Sequence, residues 1–580
     1  MFPGIRRFMV IVALIPSLAG GPWLSAQQGS TDVPGIAIRA NTRLVVVDVV
    51  VTSKGGLPVP ALKPDDFTIE ENGKKQKISV FVPPGISNKP AAAQLPPGVL
   101  SNHPEDVAPA GAPTVLLLDA TNSSFLNQAY ARSQMLQYVT EQSNAGHPIA
   151  VVTLTDRLRL LQEFTTDPQV LLKAIRDFRP QSPILTGSTA PPVSESGGEG
   201  GSFIAAAGAA IASFSNIQIG YNLERRTLIT IDAMRDLVRM LGGLPGRKNV
   251  VWLTASLPFD LIPEDRNVSD AELMADLPGQ GRQRSVSVNG AGSLASEARS
   301  LHGQEIKDAE SQLASANIAI YPVDLRGLVS GMESLAARSE AHSTDIHGAG
   351  LANAALGRSE AMATSQDTMR EVAQETGGKA YMNENEIKQG VALALADDKA
   401  SYSIGYYPEN KKWDGKYRSL KIKVSQPDTE VRYRKGYYAV DSTQPPKNSN
   451  YDADVLAALT FDAPATQISF MAQAKPTDPG KMRVIFKVDA HTLSVEDSGS
   501  NKAFNVSFYA TVWGSGDKSL ATHGIKVDRS FDAATYQQIL DHGMLVPIDL
   551  EVPAGGTELR LAVLDNKTGF IGTVSGPIGK

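Results

Sequence analysis

The stretch TVLLLDATNSSF, residues 114–125, is an apolar run that stops at Asp119 and is followed by Thr121, Ser123 and Ser124. The apolar run predicts a buried β-strand. The acid and the hydroxyl groups at its end have two interpretations. They coordinate a cation beyond the strand, or they satisfy backbone amides at the start of the next helix, predicted over 126–142.

Apolar runs and amphipathic segments alternate on both sides of this stretch, over residues 113–400. This pattern predicts an α/β domain: a doubly wound, mostly parallel sheet with helices on both faces. Three low-complexity insertions interrupt it, and their composition favours disorder or loose order. They are 183–220, 258–297 and 327–364. The predicted strands are 114–120, 148–155, 248–256 and 317–325, and the predicted helices are 126–142, 167–178, 223–246, about 299–316, 365–378 and 386–398.

The flanking sequence alternates β-branched and polar residues, which is typical of strands. Residues 36–84 predict a small N-terminal β-module with a hairpin turn at Asn72-Gly73. Residues 401–440 form a further β-strand segment, which we expect to join that module in one small sheet. The short strands of 451–580 predict a C-terminal β-sandwich. Residues 85–112 and 441–450 have the composition of linkers.

The N-terminus has the pattern of a signal peptide over residues 1–26. Arg6 and Arg7 precede an apolar stretch that ends in Leu24-Ser25-Ala26. A membrane anchor is the alternative, but Pro and Gly residues interrupt the stretch before it reaches the length of a spanning helix. We therefore expect export, to the periplasm or the medium. No later stretch is apolar enough to span a membrane, so we expect no integral membrane protein after cleavage.

Charge and cysteine content exclude several function classes. The net charge is −6, and residues 1–26 contain two arginines and no acid, so the rest of the chain carries −6 − 2 = −8. Nucleic acid and anionic membranes are poor partners for such a chain. There are no cysteines, which excludes disulfides, thiolate metal sites and a cysteine nucleophile.

The end of the first predicted strand has the residue types of a cation site. Ligands bind beyond the carboxyl ends of the strands in a doubly wound sheet. Asp119, Thr121 and Ser123 place one carboxylate and two hydroxyls at two-residue spacing in the strand-to-helix loop. Mg²⁺ and Ca²⁺ prefer such oxygen ligands, so either ion is a candidate cofactor.

The D-x-[ST]-x-S spacing at Asp119 resembles the metal-ion-dependent adhesion site of von Willebrand factor A domains. Residues 36–440 resemble, block by block, the secreted von Willebrand factor A-related proteins known mainly from Acidobacteria. The resemblance implies a Rossmann-like fold and a protein-binding role. The similar blocks are DVVVTSKGGLPVPALKPDDFTIEENGKKQKISVF, LLLDATNSS, GLPGRKNVVWLT, NIAIYPVDLRGL, ETGGKAYMN, SYSIGYYPENKKWDGKYRSLKIKVS and VRYRKGYYAV.

The resemblance also implies a threonine and a second aspartate from two further loops. Thr227 matches the threonine best, and Thr230 is the alternative. Ala255 stands where the second aspartate is expected, and Asp260 is a candidate substitute. A site with one carboxylate neutralises only part of a divalent charge, so we expect weak ion binding or a site that only shapes the loop.

Enzyme signatures are absent from the sequence. The eight histidines form no H-E-x-x-H pair, and neither G-x-S-x-G nor G-x-x-x-x-G-K-[ST] occurs. A cluster of tyrosines around the 401–440 strands has two interpretations, cross-strand packing and a binding face. Its members are Tyr406, Tyr407, Tyr417, Tyr433, Tyr437 and Tyr438.

We therefore predict an exported, non-enzymatic, adhesion-type protein that binds an unidentified protein partner through its A-type domain. The alternative is a structural scaffold of the cell envelope with a metal-free A domain, in which the C-terminal sandwich carries the interaction.

Overall fold

The structure is a computed structural model of the 580-residue chain. It describes residues 44–85, 95–108, 111–141, 147–181, 201–258, 308–326, 365–382, 387–439, 450–516 and 518–578, together with 302, 305 and 306. For 201–220 and 387–389 it describes the backbone alone. The predicted signal peptide and most of the predicted linker 441–450 lie outside these residues.

The central sheet has five strands in the order β10-β9-β6-β7-β8, and all pairs except β7-β8 are parallel. The prediction of a mostly parallel sheet is therefore confirmed. Strand β8 was not predicted; it follows β7 after three residues and returns antiparallel to it. The strands are β6 (Thr114–Asp119), β7 (Ile149–Leu154), β8 (Leu158–Thr165), β9 (Lys248–Thr254) and β10 (Ile318–Asp324).

Helices cover both faces of this sheet because successive side chains of a strand point to opposite faces. Val115 and Leu117 of β6 pack in one cluster with α4, α5 and α6. Leu116 and Leu118 pack in another with α2, α3 and α7. Helices therefore lie on both faces of the mostly parallel sheet. The helices are α2 (Phe125–Glu141), α3 (Pro168–Asp177), α4 (Gly201–Leu241), α5 (308–315), α6 (365–376) and α7 (Ile387–Ala396).

Helix α4 corrects one of the predicted insertions. It is 41 residues long and begins at Gly201, so residues 201–220 have a helical backbone instead of a disordered one. The segment is rich in alanine, which has the highest helix propensity. Its low-complexity composition led to the prediction of disorder in spite of this propensity. The rest of the predicted insertions, apart from residue 258, lies outside the described residues.

The N-terminal module and the segment 401–440 interleave in two four-stranded antiparallel sheets, where we expected one. Each sheet combines strands from before and after the α/β region, and the two share one apolar core. The hairpin turn at Asn72-Gly73 is present, with positive φ at both residues. The sheets are β13 (Thr429–Arg432), β1 (Val45–Ser53), β11 (Ser401–Tyr406) and β4 (Ile78–Val82), and β14 (Gly436–Tyr438), β12 (Tyr417–Val424), β2 (Phe67–Glu71) and β3 (Lys74–Gln76).

The C-terminal region contains two antiparallel sheets around a common core, plus two helices that were not predicted, α8 (Tyr451–Thr460) and α9 (Ala533–His542). One sheet has the order β20-β16-β15-β5, in which β5 is Val99–Ser101. In the other, β18 pairs with β17, β19 and β21, and β21 pairs with β22. The strands are β15 (Phe470–Pro476), β16 (Lys481–Val488), β17 (Glu496–Ser498), β18 (Asn501–Gly514), β19 (Lys518–Phe531), β20 (Met544–Glu551), β21 (Glu558–Asp565) and β22 (Ile571–Pro577).

Part of the predicted linker 85–112 belongs to these C-terminal sheets. Residues Val99–Ser101 form strand β5, which pairs with β15, and Pro104–Val107 form the short helix α1. The buried side chain of Asn102 donates to the carbonyls of Ala465 and Ile468 and accepts from the amide of Phe470. A three-residue strand is too short to show a period of two, so the sequence pattern did not reveal it.

Both β regions pack against the amino-terminal edge of the central sheet. Arg434 of the N-terminal module donates to the carbonyl of Ala314, just before β10 begins. In the C-terminal region, the amide of Thr466 donates to the carbonyl of Arg239, near the end of α4. The contacts lie at the edge opposite Asp119. Among the described residues, no helix is both long enough and apolar enough to cross a bilayer.

Candidate functional site at the carboxyl edge of the central sheet

Asp119 is the last residue of β6 and is 2% exposed. Its Oδ1 accepts from the amide of Asn122 (2.8 Å), and its Oδ2 accepts from Asn122 Nδ2 (2.9 Å) and Trp252 Nε1 (3.0 Å). Thr254 Oγ1 also lies 2.8 Å from Oδ2. Burial raises the pKa of Asp119, and these hydrogen bonds act in the opposite direction. The carboxyl group is thus held entirely within the protein interior.

Thr121 and Ser123 use their hydroxyls to join neighbouring segments. Thr121 Oγ1 donates toward the carbonyls of Leu154 and Thr155, at the end of β7. Ser123 Oγ accepts from the amide of Ala255, directly after β9 (3.0 Å). The loop after β6 is therefore fastened to the ends of both adjacent strands. These contacts satisfy backbone groups at the ends of β7 and β9 instead of amides at the start of α2, so Thr121 and Ser123 do not cap that helix. Ser124 does, because its Oγ accepts from the amide of Asn127.

A buried cation lies beside Asp119. Arg226 of α4 is 8% exposed; its Nε donates to Asn122 Oδ1 (2.8 Å) and its Nη2 donates to Ser256 Oγ (2.9 Å). Burial lowers the pKa of Arg226, and the charge of Asp119 acts in the opposite direction. Asn122 thus bridges the guanidinium and the carboxylate.

The two threonine candidates have different places. Thr227 is fully buried, and its hydroxyl donates to the carbonyl of Leu223 in its own helix. Thr230, the alternative, has its Oγ1 3.4 Å from Asn122 Nδ2, so hydrogen bonding joins Thr230 to the Asp119 loop. Ala255 lies after β9 at the position where the resemblance implies an aspartate, and Asp260 lies outside the described residues.

These residues do not fit a divalent cation. An ionised carboxyl offers about four lone-pair sites. Three N–H groups and the Thr254 hydroxyl already approach those of Asp119. The guanidinium of Arg226 supplies positive charge, and Ala255 supplies no ligand. Among the described residues, no group of three or more His, Asp or Glu side chains is placed to hold a metal.

Sequence reasoning missed Asn122, Arg226, Trp252 and Thr254. The register between β6 and β9 accounts for Trp252 and Thr254. Leu117 pairs with Trp252 and Leu118 with Leu253, so the next residue of β9, Thr254, lies beside Asp119. Arg226 and Thr230 are four residues apart and share one face of α4. No local pattern distinguishes the buried Arg226 from the exposed Arg225.

Two large apolar side chains lie exposed beside this site. Phe125 and Leu126 begin α2, directly after the Asp119 loop, and are 57% and 63% exposed. Exposed aromatic and aliphatic side chains that lie next to one another are typical of contact surfaces.

No protein-family model and no curated protein matches this chain. Among solved structures, a von Willebrand factor type A protein from Catenulispora acidiphila shares 8% identity with a TM-score of 0.18, over 90% of this chain and 73% of its own. An endonuclease/exonuclease/phosphatase from Beutenbergia cavernae shares 11% identity with a TM-score of 0.12, over 34% of this chain and 40% of its own. This chain is therefore distantly similar to a von Willebrand factor A protein. The scores are too low to carry an argument about function or to show a family.

Proposed function

We propose that this is an exported, non-enzymatic binding protein whose von Willebrand factor A-like, Rossmann-like domain recognises another protein at the carboxyl edge of its central sheet. The main support is the position of the β regions. Their contacts lie at the amino edge, while the described part of the carboxyl edge presents Phe125 and Leu126 to solvent. In doubly wound sheets the carboxyl edge is where ligands bind.

The alternative is an envelope scaffold in which the C-terminal region, interpreted as a β-sandwich, carries the interaction. Removing residues 451–580 is an unsuitable test, because Phe461 and Ala463 belong to the core of the α/β region and β5 pairs with β15. A deletion would therefore damage both regions. Site-specific crosslinking leaves the α/β region and the C-terminal region intact.

The test places a photo-crosslinking phenylalanine analogue at Phe125 or at Leu545 in the full chain, in the cells that express it. The two side chains are a matched pair, 57% and 56% exposed, in the α/β region and in β20 respectively. We expect a discrete protein adduct from position 125, none from 545, and loss of the adduct when Leu126→Asp is added without a change in melting temperature. An adduct from 545 alone supports the scaffold, and no adduct from either position contradicts both proposals.

A further inference from the structure

The guanidinium of Arg226 connects the two loops that would hold an ion. Through Asn122 it contacts the loop after β6, and through Ser256 it contacts the loop after β9, at 2.8 and 2.9 Å. In the adhesion site that the sequence resembles, a divalent ion would join loops at these positions. Here, a side chain of the protein itself joins them.

Asn122 connects the two opposite charges. Its amide and its Nδ2 donate to the two oxygens of Asp119, and its Oδ1 accepts from Arg226. Both charged side chains are at most 8% exposed. Buried charges are costly unless each has an opposite charge and hydrogen bonds to compensate for lost water. Asp119 and Arg226 meet this requirement for one another.

We infer that Arg226 is a built-in cation that replaces a divalent ion at the Asp119 site and keeps such an ion out. One carboxylate and one guanidinium sum to zero charge. A further ion would bring two uncompensated positive charges into the interior, beside an existing one. The inference concerns the interior of the site and holds whether or not the Phe125 surface binds a partner.

A double-mutant cycle tests this pairing, with Asp119→Asn, Arg226→Met and the double variant in the full chain. We expect each single substitution to raise the unfolding equilibrium constant by about a hundredfold or more, because each leaves a buried charge without its partner. The double variant should raise it by much less than the product of the two. Arg225→Met is the matched control: it removes the same charge from the exposed neighbouring position and should change little.

A metal titration of the wild-type chain needs no substitution and covers the case in which the single variants do not fold. We expect an unchanged melting temperature with Mg²⁺, Ca²⁺ or Mn²⁺ up to millimolar concentration. A metal-dependent rise in the melting temperature of the wild-type chain would overturn the inference, as would effects of the two substitutions that simply multiply. Both readouts measure unfolding alone, so they are independent of the crosslinking test.

Discussion

Trp252 Nε1 donates to Asp119 Oδ2 across 3.0 Å, between two adjacent parallel strands in the protein interior. We predict that Trp252→Phe lowers the free energy of unfolding by about 1.5–3 kcal/mol, since it removes a hydrogen bond to a charged group but keeps most of the buried ring. Denaturant unfolding at neutral pH measures this loss. In an Asp119→Asn background the same change should cost less, and equal losses would contradict a charge-assisted bond.

The pair of Glu71 and Arg418 is nearly inaccessible, at 3% and 2% side-chain exposure, with an N–O distance of 3.1 Å. Glu71 also accepts from the hydroxyls of Tyr406 and Tyr437, so these tyrosines serve packing and hydrogen bonding. We predict that Glu71→Gln lowers the free energy of unfolding by about 3–5 kcal/mol, because Arg418 keeps a buried charge without its partner.

The matched control for this pair is the exposed ion pair of Arg483 and Asp549, whose side chains are 52% and 67% exposed. Asp549→Asn should cost less than about 1 kcal/mol, because water screens exposed pairs. Urea denaturation of both variants gives the comparison. Similar losses at the two sites would show that burial does not control the strength of these pairs.

Asp236 gives a pH dependence with a definite sign. Burial raises its pKa from 3.8 to about 6, against the opposing effect of Arg239. The folded state therefore holds this proton more tightly than the unfolded state. Protonation of Asp236 therefore stabilises the folded state fully below pH 3.8. This contribution to the free energy of unfolding, roughly 1–3 kcal/mol, is lost as pH rises through about 6. Asp236→Asn should flatten the fall in melting temperature between pH 4 and 6.

Asp462 is exposed and provides the control for this titration. Asp462→Asn makes the same substitution at a position that solvent reaches, so comparing its slope with that of Asp236→Asn isolates the effect of burial. If the slope of Asp236→Asn also equals that of the wild type, Asp236 does not titrate in this window.

Gly243 lies where α4 meets the C-terminal region, and a Cβ built on it would fall 1.7 Å from the carbonyl oxygen of Thr466. Its amide donates to Thr466 Oγ1. We predict that Gly243→Ala lowers the free energy of unfolding by about 1–3 kcal/mol through overpacking. Gly55→Ala, with its nearest contact at 3.7 Å, is the control and should be close to neutral in denaturant unfolding. An equally neutral Gly243→Ala would mean that this contact yields without cost.

The periodic segments were predictable because their signals are local. The apolar runs at Thr114–Asp119, Ile149–Leu154 and Ile318–Asp324 have the lengths of buried strands, and the helices between them bury one face. Strand β8 was missed because LRLLQEFT lacks a clear alternation of apolar and polar residues. Strand β5 was missed because three residues are too few to show an alternation of apolar and polar side chains.

Local sequence patterns were enough to predict the mostly parallel sheet with helices on both faces, and the position of Asp119 at the end of a buried strand. Periodicity and strand length are properties of neighbouring residues, so they can be recognised without the fold. The groups that surround Asp119, in contrast, depend on how the chain folds. Trp252 and Arg226 are more than 100 positions away in the chain. Strand register brings Trp252 Nε1 to Asp119, and the packing of α4 brings the Arg226 guanidinium to Asn122. These contacts determine whether the charge of Asp119 is compensated by an ion or by an arginine.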